Sequence, residues 1–205
     1  MAPLRLRVCL IGPECTGKTT LAEELAAHFG APWVPEFARE YAERVARELT
    51  ADDVEPIARG QMANEDAALN SGVGSRESGV GDSGSFSDTR HPTPDTRLLI
   101  LDTDLISTVV YARHYYGHCP EWIEREAHAR KSDIYLLTDI DIPWVPDSLR
   151  DSAAPRESLY EHFAQTLKDY DANVVTITGD RFAAAIRQLD SLHDRPPAAT
   201  RTPHR

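Results

Sequence analysis

Residues Gly12-Pro13-Glu14-Cys15-Thr16-Gly17-Lys18-Thr19-Thr20 fit the pattern G-x-x-x-x-G-K-[ST] in full. The chemistry this spacing serves is the binding of a polyphosphate tail. Glycines let the backbone curl so that successive N–H groups point inward at an anion. A helix beginning near Lys18 adds its positive N-terminal end. Lys18 reaches the terminal phosphates as a compact mobile cation, and the Thr19 hydroxyl is placed to ligate Mg²⁺ beside them. Cys15 falls inside this cradle, where the helix end and the lysine favour a thiolate.

Three further clusters of charge fall where a parallel sheet would present them. Glu36 follows the short apolar stretch Trp33-Val34-Pro35, and Arg39 comes one turn later. Asp102 and Asp104 follow the run Arg97-Leu98-Leu99-Ile100-Leu101. Arg150 and Arg156 belong to a Pro- and acid-rich loop, Asp139 to Ser152, and its exit. Asp102, at a strand tip, is suited to hold the water shell of Mg²⁺ opposite Thr19. Glu36 is suited to take a proton from an attacking hydroxyl, and Asp104 is the rival base or a ligand for ribose hydroxyls. Arginine suits a loop that closes over ATP, because its planar fork grips phosphate oxygens bidentately. Structural roles compete with each of these: Asp102 and Asp104 could cap a helix, and Arg39, Arg150 and Arg156 could be solvated surface charge.

The elements that must position these residues are legible from periodicity. Leu4 to Ile11 is an apolar-rich run of strand length, and Leu21, Leu25 and Phe29 carry helical spacing. Strand, glycine-rich turn and helix is the context a phosphate loop needs. Phe37, Tyr41, Val45 and Leu49 predict a helix from about Glu36 to Leu49, and Thr50 to Asp53 offers caps for another through Ile57, Met62 and Leu69. Gln61 lies on that helix. The continuous apolar run ending at Asp102 reads as a strand buried on both faces. Helices are expected over Asp104–Tyr116, Cys119–Lys131, Glu157–Tyr170 and Arg181–Leu189, and strands at Ile134–Leu137 and Val174–Ile177. Strands alternating with helices predict an α/β fold of the P-loop NTPase kind: a five-stranded parallel sheet with helices on both faces and a lid. Ligands in such sheets sit beyond the carboxyl ends of the strands.

One kinase-like domain is expected over residues 1–193. Residues 71–96 read as a flexible insertion, since their Ser, Gly, Asp and Thr mixture holds almost no apolar side chain. Residues 194–205, rich in Pro, Thr and Arg, read as a disordered tail.

Composition narrows the function. The 205 residues carry 22 Lys and Arg against 33 Asp and Glu, a formal net charge of −11. A chain this acidic is a poor general binder of nucleic acid. No apolar run is long enough to span a bilayer. The N-terminal apolar stretch is too short for a signal peptide and runs straight into the phosphate loop. Three widely spaced cysteines, without a C-x-x-C pair, fit a reducing cytoplasm better than a disulfide framework or a zinc site. No N-K-x-D stretch specifies guanine. A motor or AAA module is usually larger and carries an arginine-finger region. The remaining expectation is a kinase for a small molecule.

Four stretches sharpen this: the phosphate loop, Trp33 to Tyr41, Leu101-Asp102-Thr103-Asp104-Leu105, and Trp144-Val145-Pro146-Asp147-Ser148-Leu149-Arg150-Asp151. Together and in this order they resemble the ribosylnicotinamide kinase domain of NadR-type proteins, over about Leu4 to Leu189. The resemblance implies MgATP-dependent phosphorylation of the 5′-hydroxyl of nicotinamide riboside to the mononucleotide. It implies catalytic roles for Lys18, Glu36, Asp102, Asp104, Arg150 and Arg156, and ATP binding by Gly12 to Thr20. Glu36, Arg39, Gln61 and Asp104 would then face the substrate, and Thr19 and Asp102 the metal. The chain departs from the family in showing no evident aromatic pair to stack on nicotinamide, and it lacks an H-x-G-H nucleotidyltransferase signature. Two alternatives therefore stand beside this reading: a kinase for another nucleoside or small alcohol, and a non-catalytic ATP-binding regulatory module. The sequence leaves the oligomeric state open.

Overall fold

The computed structural model describes residues 6–70, 98–141 and 156–193. Five strands form one parallel sheet: β1 (Leu6–Ile11), β2 (Trp33–Val34), β3 (Leu98–Asp102), β4 (Ile134–Thr138) and β5 (Val174–Ile177). Their spatial order is β2-β3-β1-β4-β5, with every neighbouring pair parallel. Seven helices join them: α1 (Lys18–Phe29), α2 (Phe37–Val45), α3 (Val54–Asn70), α4 (Leu105–Tyr116), α5 (Glu121–Ala129), α6 (Arg156–Asp169) and α7 (Arg181–His193).

The period of two along β1 divides the core. Val8 and Leu10 face one layer, with Leu98, Ile100, Ile134, Leu136 and Ile177, and meet Leu21, Ala22 and Leu25 of α1 and Ala185 and Leu189 of α7. Cys9 and Ile11 face the other, with Leu99, Leu101 and Tyr135, against residues of α3, α4, α5 and α6. All five residues of β3 and of β4 are buried, which is why both read as unbroken apolar runs. Each fully buried Leu or Ile contributes about 1.5–3 kcal/mol relative to exposure, so this double-sided packing dominates what fixes the sheet. The outer strands are weaker: β2 has two residues, and β5 is partly exposed over its first three.

The register sets the site. Leu10 lies beside Asp102 and Leu136, so the chain leaving β1, the last residue of β3 and the end of β4 reach the same edge. Because β1 has β3 on one side and β4 on the other, the strand order reverses there, which is where such sheets bind ligands.

The expected fold is present, with local differences. The helix expected to reach Leu49 ends at Val45, where Ala46 takes a left-handed φ of 50° and donates back to Ala42. A short 3₁₀ turn, Ala51–Asp53, leads into α3. Thr50 and Asp53 cap each other reciprocally there, and Arg47 pairs with Asp53 at 2.7 Å. The insertion at 71–96, the tail at 194–205, and Trp144, Val145 and Arg150 of the expected lid lie outside the described residues. Among the described residues no helix is long and apolar enough to cross a membrane.

Candidate nucleotide site

The phosphate loop is built by alternating backbone handedness. Gly12 has φ 142°, Cys15 φ 54° and Gly17 φ 80°. Gly12 is also a close approach: a Cβ there would stand 2.8 Å from Thr138 Oγ1 and 2.9 Å from the Thr138 carbonyl. The end of β4 therefore forms the floor of the loop. Thr16 Oγ1 lies 2.6 Å from Thr138 Oγ1 and donates to the Pro13 carbonyl at 2.9 Å. Sequence reasoning missed Thr138, because nothing near it in the chain marks it as a partner of a loop 122 residues away. Lys18 is buried and its Nζ donates to the Pro13 carbonyl at 2.6 Å, so its ammonium lies folded into the loop.

Thr19, in the first turn of α1, donates its hydroxyl to Asp102 Oδ2 at 2.6 Å. The other oxygen of Asp102, Oδ1, is buried and has no hydrogen-bond partner among the described residues. Burial pushes the Asp102 carboxyl above its ordinary range, and Glu36 pushes it the same way. The Thr19 hydrogen bond and the charges of Lys18 and Arg39 pull it back. Glu36, Arg39 and Lys18 thus all lie within electrostatic reach of Asp102. Glu36 occupies the cap position of α2 in extended backbone, with no side-chain bond to the helix it begins. Arg156, first residue of α6, brings Nη2 within 3.4 Å of the Cys15 carbonyl, so one of the two expected lid arginines overlies the loop.

These groups fit a magnesium–nucleotide pair. A buried carboxylate oxygen without a partner, next to a threonine hydroxyl at a phosphate loop, is the donor set Mg²⁺ takes when phosphates supply the remaining ligands. Among the described residues no three His, Cys, Asp or Glu side chains cluster to hold a metal by themselves. Thr19 and Asp102 would hold the ion.

Two expectations are corrected. The turn at Thr103, with φ 72°, carries Asp104 back under α4 and away from the loop. Asp104 is 4 % exposed and accepts from the Ile106 amide at 2.9 Å, from Tyr135 at 2.6 Å and from Ser132 at 3.3 Å. It is a helix cap inside a buried polar cluster. Gln61, expected to face the substrate, is 3 % exposed. It accepts from the Phe37 amide at 3.1 Å and donates to Glu65 and the Thr103 carbonyl, each at 3.3 Å.

A glycine-rich loop after the central strand, a helix that begins at Lys18 and an acid at the tip of the neighbouring strand define a P-loop nucleotide-binding protein with a kinase-type fold. The chain belongs to the AAA domain family, which it matches over residues 7–183. Over 178 residues the chain is 22% identical to the trifunctional NAD biosynthesis/regulator protein NadR of Salmonella typhimurium, covering 83% of this chain and 37% of that protein. Structures of NadR protein, one in complex with NR and one with NAD and AMP-PNP, superpose with a TM-score of 0.66 at 24% identity. The NR complex covers 92% of this chain and 49% of that one. Thymidylate kinase from Ehrlichia chaffeensis superposes with a TM-score of 0.60 at 14% identity, over 93% of this chain and all of that one. The resemblance to NadR-type proteins is thus recovered from whole-chain similarity as well as from motifs. The chain spans about half or less of the NadR proteins it matches.

Proposed function

We propose that the protein is an ATP-dependent nucleoside kinase that phosphorylates the 5′-hydroxyl of nicotinamide riboside. The observation that carries the reading is the Thr19–Asp102 hydrogen bond beside the phosphate loop, with Glu36 close enough to perturb Asp102. Phosphoryl transfer asks little covalent chemistry of a protein and much positioning and charge neutralisation. The loop amides and Lys18 receive the β- and γ-phosphates; Lys18 exchanges the Pro13 carbonyl for phosphate oxygens. Bound magnesium supplies positive charge against the phosphate oxygens. Arg156 adds a guanidinium beside the Cys15 carbonyl, and Arg150 is its proposed companion. Glu36 accepts the proton of the attacking hydroxyl, and Arg39 holds charge balance among the acids. The nicotinamide riboside acceptor is supported by the four motifs and by the similarity to NadR, whose structure was solved with NR.

Purified protein with MgATP and a nucleoside panel, read by ADP release, tests this. The reading expects turnover with nicotinamide riboside. Turnover with another nucleoside instead would keep the kinase and move the substrate. ATP binding without turnover for any acceptor would leave a nucleotide-binding regulatory module.

A further inference from the structure

Behind the phosphate loop runs a buried polar chain that the phosphate chemistry does not use. Glu65, one turn beyond Gln61 on α3, is fully buried. Its Oε2 accepts from Arg7 Nη2 at 2.6 Å, and its Oε1 accepts from Gln61 Nε2 at 3.3 Å. Arg7 also donates to the Arg130 carbonyl at 2.7 Å. Arg130, which follows α5, stands 4.0 Å from Glu65 and pairs with Asp66 at 2.8 Å. The chain therefore runs from β1 and the end of α5, through α3, to two backbone points: the Phe37 amide and the Thr103 carbonyl. Phe37 follows Glu36, and Thr103 follows Asp102.

The orientation of Gln61 is forced. A backbone N–H can only donate, so the atom facing Phe37 is the amide oxygen, and Nε2 must serve both Thr103 and Glu65. Helices leave their first amides without intrahelical partners, and the residue at the cap position usually supplies an acceptor. Phe37 is the first residue of α2, ahead of the amides that a cap side chain serves, and Gln61 meets its amide from another helix. Packing supports the same joint: a Cβ at Gly60 would stand 2.0 Å from the Phe37 ring, so only glycine lets that ring lie on α3.

We propose that Glu65 is a positioning residue, acting through Gln61 to clamp the start of α2 to the turn after β3 and so to set the separation of Glu36 from Asp102. The clamp is a matter of geometry; its consequence for catalysis rests on the roles proposed above for those two acids. Both neighbours of Glu65 are donors, Arg7 on one side and Gln61 on the other, and the ionised carboxylate, the form against which the variant is compared at about pH 8, accepts from both. An amide in its place must turn its own NH₂ toward one of them, so Glu65→Gln breaks the chain at one link while conserving volume. Gln61→Leu removes the acceptor for Phe37 outright.

Amide exchange followed by NMR on the full chain tests the clamp independently of any substrate. In both variants the Phe37 amide should lose protection by about tenfold, the scale of one hydrogen bond, while the Leu25 amide of α1 keeps its own. In the kinase assay both should lower kcat by a similar factor, with the acceptor KM and MgATP affinity unchanged. Unchanged Phe37 protection in folded E65Q overturns the proposal. So does a raised acceptor KM at constant kcat, which would mean that Gln61 touches the substrate. If the wild type phosphorylates no nucleoside, the kinase reading fails and exchange alone decides the clamp. If E65Q does not fold, the comparison becomes Q61L against Q61N, whose shorter amide cannot reach Phe37 and Glu65 together. Equal loss of Phe37 protection in both supports the clamp, and protection retained in either overturns it.

Discussion

The hydroxyl of Thr19 donates to Asp102 at 2.6 Å, joining the first turn of α1 to the tip of β3 across 83 residues of sequence. The bond fixes one carboxylate oxygen and leaves the other buried and without a partner among the described residues. Thr19→Val keeps the shape and removes the donor. It should lower kcat by about two to three orders of magnitude, the usual cost of one preorganised polar group at a reacting centre. Asp102→Asn should do at least as much and should weaken the dependence of ATP binding on Mg²⁺, measured by calorimetry with and without the metal.

Glu36 and Asp104 part company in this structure. Glu36→Gln should lower kcat by about 10²–10⁴-fold, the range for loss of a general base, with ATP affinity retained. Asp104→Asn should leave kcat within a few-fold and act on stability. It weakens acceptance from Tyr135, Ser132 and the Ile106 amide, at a cost of about 1–3 kcal/mol. Urea unfolding of the two variants beside their kinetics distinguishes the roles; a catalytic collapse in D104N with unchanged stability would reverse them.

Cys15 stands inside the phosphate loop in left-handed backbone, half-buried, with Arg156 against its carbonyl. Its two competitors for an alkylating reagent are poor ones. Cys9 is fully buried with its thiol pushed well up by desolvation, and burial pushes Cys119 up to about 12. Brief iodoacetamide treatment at neutral pH should therefore modify Cys15 first and abolish ATP binding, and bound MgATP should protect it. Peptide mass mapping beside a nucleotide-binding assay reads both effects. Full labelling at Cys15 with unchanged ATP affinity would contradict the placement of the nucleotide.

Burial raises the Glu65 carboxyl from its ordinary 4.5 to about 7. Arg7, Arg130 and the Gln61 hydrogen bond pull it down, and Asp104 pushes it further up. Between these values the native state binds a proton that the unfolded chain has released. Glu65 therefore contributes stability that is complete below about pH 4.5 and is lost as pH rises through about 7. The drop in unfolding free energy from about pH 5 to pH 8 should be larger in the wild type than in E65Q, by about 2–3 kcal/mol. Equal pH slopes in the two proteins would contradict it.

The sheet was legible in the sequence because its central strands are buried on both faces and read as apolar runs bounded by glycine, proline or acid. The phosphate loop was legible because a backbone cradle needs glycines at fixed spacing. The polar joints were not. Thr138 under Gly12, Glu65 beside Arg7 and Gly60 under Phe37 pair residues far apart in the chain, and none carries a local signal. Asp104 misled for a related reason: spacing places it two residues beyond a strand tip, but only the positive φ at Thr103 turns it inward. Gln61 was singled out for a substrate role, and the structure gives its amide to the backbone of Phe37 and Thr103 instead.

The central claim is that a nucleoside hydroxyl and the γ-phosphate of ATP meet between Glu36 and Lys18. The most direct measurement is a single-turnover reaction of the protein with γ-labelled ATP, Mg²⁺ and nicotinamide riboside, with products separated and identified by mass. Label appearing in nicotinamide mononucleotide, and failing to appear with Glu36→Gln, is the predicted result. Label that stays in ATP or passes only to inorganic phosphate, while ATP binds normally, would contradict it.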